Sequence, residues 1–280
     1  MSADELTFKL GGNRVIHRLG FGAMRLTGPG IWGEPADHEG AKRVLKRVLE
    51  LGVDFIDTAD SYGPEVSERL IGEALFPYPK GLVVGTKAGL TRGGPGQWSP
   101  NGRPAHLKAA CAGSLKRLRV DRLDLLQLHR PDPEVPFEDS VGALAELKRE
   151  GKVDMVGLSN VTVDELHRAQ RIVPIVSVQN RYSIGDRASE DVLAECQRQG
   201  IAFIPWFPLA AGQADRADNL QRTARALDAT PFQVALAWLL QHSPVMVPIP
   251  GTSSIRHLEE NMASLRLSLN PAQVRELSAA

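Results

Sequence analysis

VDFIDTADSYG, residues 53–63, is the stretch that decides how this chain of 280 residues folds. Side chains alternate along a strand, so Val53, Phe55 and Asp57 share one face, and Tyr62 follows in the loop. The pattern returns twice downstream. In LVVGTK (82–87) Val83, Gly85 and Lys87 lie on one side, and in LDLLQLH (123–129) Leu125 and Gln127 lie on the face of His129. Parallel strands closed into a barrel would turn Asp57, Lys87 and His129 into one shared space beside Tyr62, at the strand ends where such barrels carry their chemistry.

A strand-then-helix rhythm extends outward from these runs. Strands are expected at 19–22, 53–57, 82–86, 123–128, 153–158, 175–179, 202–206 and 246–249. Helices are expected to start near Asp37, Pro64, Pro104, Phe137, Thr162, Ser189, Ala217 and Ile255, with another over 231–241. Thr162 precedes acidic Asp164 and Glu165, and Thr230 precedes Pro231, both signals of a helix start. Strands alternating with helices form a parallel sheet with crossover helices, and about eight repeats favour a (β/α)8 TIM barrel over an open doubly wound sheet. Thr7–Leu10 and Arg14–His17, around Gly11-Gly12, read as an N-terminal β-hairpin, and the helices near the C-terminus are additions to the barrel. No interdomain linker interrupts residues 1–280, so a single domain is expected.

Composition excludes some classes of function. Lysine plus arginine is 33 and aspartate plus glutamate is 33, so no basic face is advertised for nucleic acid or anionic lipid. The longest apolar stretches, such as 232–240, fall far short of the ~20 residues of a membrane span, and MSADELTFKL lacks the regions of a signal peptide. A cytoplasmic protein, monomeric or weakly homo-oligomeric, is the expectation. Cys111 and Cys196 each fall in an apolar helical stripe, which suits buried reduced thiols better than a disulfide. Neither has metal-ligand spacing, and no metal is expected.

The segment AGLTRGGPGQWSPNGR (88–103) is too long for an ordinary strand-to-helix turn and carries one large aromatic, Trp98. It reads as a wall of a substrate pocket; the alternative is a surface loop whose Trp98 packs on the barrel.

Taken in order, FIDTADSYG with LIGEAL downstream, VVGTK, DLLQLHRPD, VGLSN, VQNRYS and IPGTSS with HLEEN resemble the signatures of aldo-keto reductases. The resemblance covers nearly the whole chain. It implies a catalytic set of Asp57, Tyr62, Lys87 and His129 acting with NADPH, or alternatively NADH, on a small carbonyl substrate. Tyr62 would be the general acid. An unperturbed phenol, with a pKa of about 10, holds its proton firmly, so Lys87 is expected to lower that value while Asp57 holds the ammonium. His129 would be a second donor to the carbonyl oxygen. The alternative for Asp57 and Lys87 is an ion pair serving stability only; such pairs are weak stabilisers, which favours chemistry.

Gly20-Phe21-Gly22-Ala23-Met24-Arg25 begins like a dinucleotide fingerprint, but Arg25 stands where the third glycine belongs, and the Rossmann reading fails. By the resemblance, Gly22, Ala23 and Met24 pass the nicotinamide end, with Asp57 also bordering the cofactor. Ser159, Asn160 and Gln179 would bond the carboxamide, and Trp206 would lie under the ring. Phe207 stands where relatives carry Ser, which removes a hydroxyl from the pyrophosphate side beside Leu209. Gly251, Thr252 and Ser253 open the helix at Ile255, and a helix start with free N–H groups suits an anion such as the 2′-phosphate of NADPH. His257, or Arg256, would assist there, with Glu260 and Asn261 at the adenine.

Trp32 and Trp98, with Tyr62 and Trp206, would form an aromatic pocket suited to planar or apolar aldehydes and ketones. The chain ends soon after the helix at Ile255, which implies a relatively open pocket. VQNRYS, WFPLAAG and QVALAWLLQHSP are similar to bacterial reductases of the pyridoxal reductase type, so a pyridoxal or general aldehyde reductase is expected. The same fold and tetrad occur in potassium-channel β-subunits, where NADPH serves regulation. No partner-binding extension or charged tail supports that redox-sensor reading here. A barrel hydrolase or isomerase would need a metal cluster or paired carboxylates, and neither is evident.

Overall fold

The computed structural model describes residues 4–209 and 218–279. Strands β1 (Thr7–Leu10) and β2 (Arg14–His17) pair antiparallel around Gly11 and Gly12, whose positive φ values of 59° and 84° favour glycine. The alternating series begins with β3 (Phe21–Gly22), α1 (His38–Glu50), β4 (Phe55–Asp57), α2 (Val66–Leu75) and β5 (Val83–Ala88). A second hairpin, β6 (Leu90–Gly94) and β7 (Gln97–Pro100), leads into α3 (Pro104–Leu118). The series continues through β8 (Leu123–Leu128), α4 (Phe137–Arg149), β9 (Val153–Ser159), α5 (Val163–Gln170), β10 (Ile175–Gln179), α6 (Glu190–Gln199) and β11 (Ala202–Phe203). Four further helices follow: α7 (Asp218–Ala226), α8 (Pro231–His242), α9 (Ile255–Ala263) and α10 (Pro271–Ser278).

Seven strands form one parallel sheet in the order β11-β10-β9-β8-β5-β4-β3. Its two edges are joined by the segment around Met246. Val247 N–H donates to the Phe203 carbonyl at 2.8 Å on one side, and Gly20 N–H donates to the Pro248 carbonyl at 3.0 Å on the other. The expected strand at 246–249 therefore closes a (β/α)8 barrel.

Alternation sorts the apolar residues into two cores. Phe55, Val83, Leu125, Met155, Val247 and Ile249 pack together inside the barrel with Leu10 and Ile16 of the first hairpin. Their neighbours Ile56, Val84, Leu126 and Val156 face outward and join the larger core beneath the helices. A one-residue slip of any strand would exchange these faces, so burial fixes the register. Register in turn carries Asp57 opposite Gly85 and Lys87 opposite Gln127 at the strands' C-terminal ends.

The first hairpin closes the other end. Arg14 reaches Asp124 and Asp154 at 3.4 Å each, and His17 Nδ1 lies 2.8 Å from Asp54, all three carboxylates being near strand starts. Buried Arg18 follows; its guanidinium donates to the carbonyls of Glu5 (2.7 Å), Leu240 (2.7 Å), Met246 (3.1 Å) and Ser243.

Several expectations shift by particular causes. Helix α2 begins at Val66 rather than near Pro64, because Glu65 takes a left-handed conformation at φ 67°. Helix α10 was not anticipated, although Asn270 caps it in a reciprocal box with Gln273 and Pro271 stands in its first turn. The long 88–103 segment is a hairpin rather than a loop. The expected start at Ala217 and residues 210–212 of WFPLAAG lie outside the described residues. Cys111 and Cys196 are buried free thiols, raised by burial to about 11 and about 12. Among the described residues, no helix is long and apolar enough to cross a membrane.

Arg18→Met strands several buried carbonyls at once, and each such loss costs about 1 kcal/mol or more. The variant should lose about 3 kcal/mol of stability in total, seen as a clearly lower urea midpoint; an unchanged midpoint would show the staple to be dispensable.

Candidate active site

Asp57 ends β4, Lys87 is the penultimate residue of β5, His129 directly follows β8, and Tyr62 sits in the turn before α2. All four are buried. Lys87 Nζ donates to Asp57 Oδ2 at 2.6 Å, to the Thr58 carbonyl at 2.9 Å and to the Tyr62 hydroxyl at 3.2 Å. The other Asp57 oxygen accepts from Gln179 Nε2 at 2.8 Å and Gln127 Nε2 at 3.4 Å. His129 Nδ1 lies 3.3 Å from Ser61 Oγ, and its ring meets that of Tyr62 edge to face with centroids 5.8 Å apart.

Burial acts to depress the Lys87 ammonium, but Asp57 and Tyr62 outweigh it and the net shift is upward. The Tyr62 phenol departs from the sequence expectation. Burial raises it, and attraction by Lys87 offsets only part of that rise, so its net shift is upward rather than downward. Tyr62 therefore rests as a protonated donor. Burial and the neighbouring cations Lys87 and Arg130 hold His129 well below its ordinary value, which leaves the imidazole neutral.

Asp57, Tyr62 and His129 line a cavity of about 670 Å³, with Lys87 buried behind them. From the expected cofactor set, Gly22, Met24, Asp57, Ser159, Asn160, Gln179, Trp206, Phe207, Leu209, Gly251, Thr252, His257, Glu260 and Asn261 line it. Ser253 lies instead on an adjoining hollow beside Arg25 and Thr252, and Ala23 is buried behind the wall. Several of these side chains are already engaged. The Asn160 amide accepts from Trp206 Nε1 at 3.0 Å and donates to the His129 carbonyl at 3.0 Å and Ser159 Oγ at 2.9 Å. Glu260 is held by Arg256 at 2.6 Å, and Arg256 also meets His257 Nε2 at 2.8 Å.

Gly22 and Gly251 mark a close approach of two backbones. A Cβ on Gly251 would lie 2.5 Å from the Gly22 carbonyl oxygen, and one on Gly22 would lie 2.7 Å from that of Ile249. Only bare backbone fits at that edge of the cleft. Beyond it, Ser254 caps α9 by accepting from His257 N–H.

Trp98, Leu90 and Pro100 of the second hairpin form the wall above Tyr62 and His129. The Trp98 ring centroid is 6.4 Å from each of theirs. Trp32 is not part of the cavity wall: its ring lies under Arg92, 5.6 Å from the guanidinium carbon.

The sequence pattern of the Aldo/keto reductase family matches residues 18–280. This chain belongs to that family. Relatives of the aldo-keto reductase include an uncharacterized oxidoreductase of Schizosaccharomyces pombe, 51% identical over 260 residues, which are 92% of this chain and 85% of the relative. Pyridoxine 4-dehydrogenase of Escherichia coli is 45% identical over 271 residues, 94% of each chain. Among solved structures, a thermostable aldo-keto reductase in complex with the inhibitor epalrestat superposes with a TM-score of 0.85 at 31% identity, covering 98% of this chain and 99% of that one. An aldo-keto reductase of Klebsiella pneumoniae in complex with NADPH gives 0.83 at 26% identity, covering 98% and 94%.

Sequence reasoning passed over several residues that this reductase brings to the cavity or to the groups lining it. Gln127 was visible as the one polar residue on the inner face of its strand and proves to brace Asp57. Arg25 and Arg130 line the cavity without an ion pair or hydrogen bond to other described residues. Nothing in the local pattern distinguished them from surface arginines. Phe232 and Thr230, at the start of α8, reach the wall through tertiary folding alone.

Asp60, two residues before Tyr62, is a buried carboxyl whose Oδ1 has no hydrogen-bond partner. Burial, then repulsion by buried Glu68, push it up to about 8. The folded state therefore binds a proton that the unfolded chain releases near pH 4, and stability falls as pH rises from about 4 through 8. Asp60→Asn should be more heat-stable than the parent at pH 8, by roughly 2 °C or more, with the advantage gone at pH 4. Parallel thermal scans at the two pH values check this, and an advantage of equal size at both would contradict it.

Proposed function

We propose that this protein reduces an aldehyde or ketone to an alcohol with NADPH, with Tyr62 as the proton donor. The observation that carries the reading is the short chain Asp57 to Lys87 to Tyr62, at 2.6 Å and 3.2 Å, with Asp57 and Tyr62 in the wall of a cavity of about 670 Å³ that His129 also lines.

NADPH suits the residues present. Gly22 and Gly251 leave a bare-backbone edge, Trp206 offers an aromatic face braced by Asn160, and Arg25 and Thr252 lie where phosphate charge would need partners. Ser159, Asn160 and Gln179 would meet the carboxamide, with Met24 and Ala23 alongside. Phe207 and Leu209 would cover the pyrophosphate side. His257, Glu260, Asn261 and Ser253 would surround the adenosine end. Relatives solved with NADPH support this choice.

When bound, NADPH supplies the hydride that reaches the carbonyl carbon. Charge then builds on the carbonyl oxygen, and a donor has to meet it. Tyr62 enters that step with its proton in place, because burial keeps the phenol protonated. An alkoxide is a far stronger base than a phenolate, so the raised value does not impede transfer. Lys87 stabilises the phenolate left behind, and Asp57 keeps Lys87 charged inside the barrel. Neutral His129 donates through one ring nitrogen to the same oxygen without adding a second cation.

The open mouth and its aromatic rim suit planar aldehydes. Similarity to pyridoxine 4-dehydrogenase makes pyridoxal the first substrate to try. Removing one hydroxyl isolates the acid: Tyr62→Phe should bind NADPH within about twofold of the parent and lose at least about a hundredfold in kcat. Near-normal reduction by that variant would remove Tyr62 from the role. With His129 neutral, kcat/KM should show no inflection near 6.5; a break there that vanishes in His129→Gln would contradict the neutral imidazole.

A further inference from the structure

Arg92 lies in β6 of the second hairpin, outside the set of residues assigned above. A guanidinium has five N–H donors in a rigid fork, and all five of Arg92's are used on backbone. Nη1 donates to the carbonyls of Ile31 (2.8 Å) and Ser61 (3.0 Å), Nη2 to Gly30 (3.1 Å) and Gly94 (3.4 Å), and Nε to Gln97 (2.9 Å). These acceptors come from three places: the turn at 30–31, the residue before Tyr62, and both arms around the hairpin's own tip. The flat face of the group stacks on Trp98, its central carbon 3.6 Å from the ring centroid, with Trp32 on the approach at 5.6 Å.

The consequence falls on the substrate. Trp98 stands over Tyr62 and His129, and its ring is fixed from behind by Arg92 rather than by the barrel core. A hairpin containing Gly93, Gly94 and Gly96 has little packing of its own to hold it down. We infer that Arg92 is a positioning residue that sets substrate preference: it locks Trp98 as the wall on which an aromatic or long-chain carbonyl seats, and ties that wall to the loop bearing Tyr62. The inference rests on the reductase reading for its catalytic readout and on the hairpin geometry for its structural one.

Arg92→Met, Arg92→Lys and Trp98→Ala test it together. For NADPH-dependent reduction of 4-nitrobenzaldehyde, Arg92→Met should raise KM about tenfold, a loss on the scale of a cation–π contact plus its hydrogen bonds. KM for propanal, kcat for both aldehydes and the Kd for NADPH should stay within about threefold of the parent, since the wall touches only the larger substrate. Arg92→Lys should behave like Arg92→Met, because an ammonium has three donors and no stacking face. The double variant with Trp98→Ala should be no worse than Trp98→Ala alone.

Equal KM changes for the two aldehydes, full rescue by Lys, or no change at all would each overturn the inference. Amide hydrogen exchange over residues 90–100 supplies a readout free of catalysis. It should quicken in Arg92→Met and Arg92→Lys while the barrel strands stay protected. If the parent reduces no carbonyl, the reductase reading fails by itself, and unchanged exchange in the variants would then overturn the lock independently. Should Arg92→Met not fold, Arg92→Lys and Trp98→Ala give the same comparison.

Discussion

Lys87 has no solvent exposure, and an ammonium taken that far from water has to be matched by a carboxylate and by every acceptor within reach. Asp57, the Thr58 carbonyl and the Tyr62 hydroxyl meet that demand on one side. Asp57 in turn needs donors for its second oxygen, and Gln179 and Gln127 provide them, with the Ser177 hydroxyl donating to the Gln127 amide oxygen. One ion pair thus connects β4, β5, β8 and β10. Such an assembly is a poor way to gain stability, since an apolar replacement of the same shape would be as good or better. What it does supply is a fixed positive charge beside a phenol in a low dielectric, where that charge has most effect on a proton.

The remainder of the barrel serves this placement. Inward residues such as Phe55, Val83 and Leu125 fill the interior below the pair, and the first hairpin closes the far end. Arg18 and Arg92 are two further cations put to structural use by donation to carbonyls, one at each end of the molecule. Arg18 joins chain segments more than two hundred residues apart. Arg92 joins a surface hairpin to the loop that carries Tyr62. Both rely on the same property, a planar group with many fixed donors.

Strand ends were legible because side-chain alternation is a local property, and a titratable residue ending an apolar run declares which face it shares. Asp57, Lys87 and His129 could therefore be brought together from periodicity, and seven of the eight expected strands form the parallel sheet that does so. Closure was legible as well: the segment at 246–249, expected as the eighth strand, makes only isolated pairings, yet it completes the ring. Helix α10 carried a readable Asn-Pro start that was passed over. The Tyr62 shift was misjudged because a sequence reveals the helpful cation but not the depth of burial, and burial is the larger influence. Trp98 was marked in sequence by its unusually long segment, whereas Trp32 had no such context; both rings lie against Arg92, and only that of Trp98 reaches the cavity wall. The partners of Arg92 span positions 30 to 97, a set no local pattern could reveal.

The central claim is hydride delivery to a carbonyl carbon at the site organised by Lys87. Its most direct test is isotopic: incubate the protein with NADPH carrying deuterium at the reactive carbon and an aromatic aldehyde, then examine the alcohol by mass spectrometry and proton NMR. The account predicts one deuterium on the carbinol carbon, with label transfer lost in Lys87→Met although that variant still binds NADPH. Alcohol formed without label, or full transfer by Lys87→Met, would contradict it.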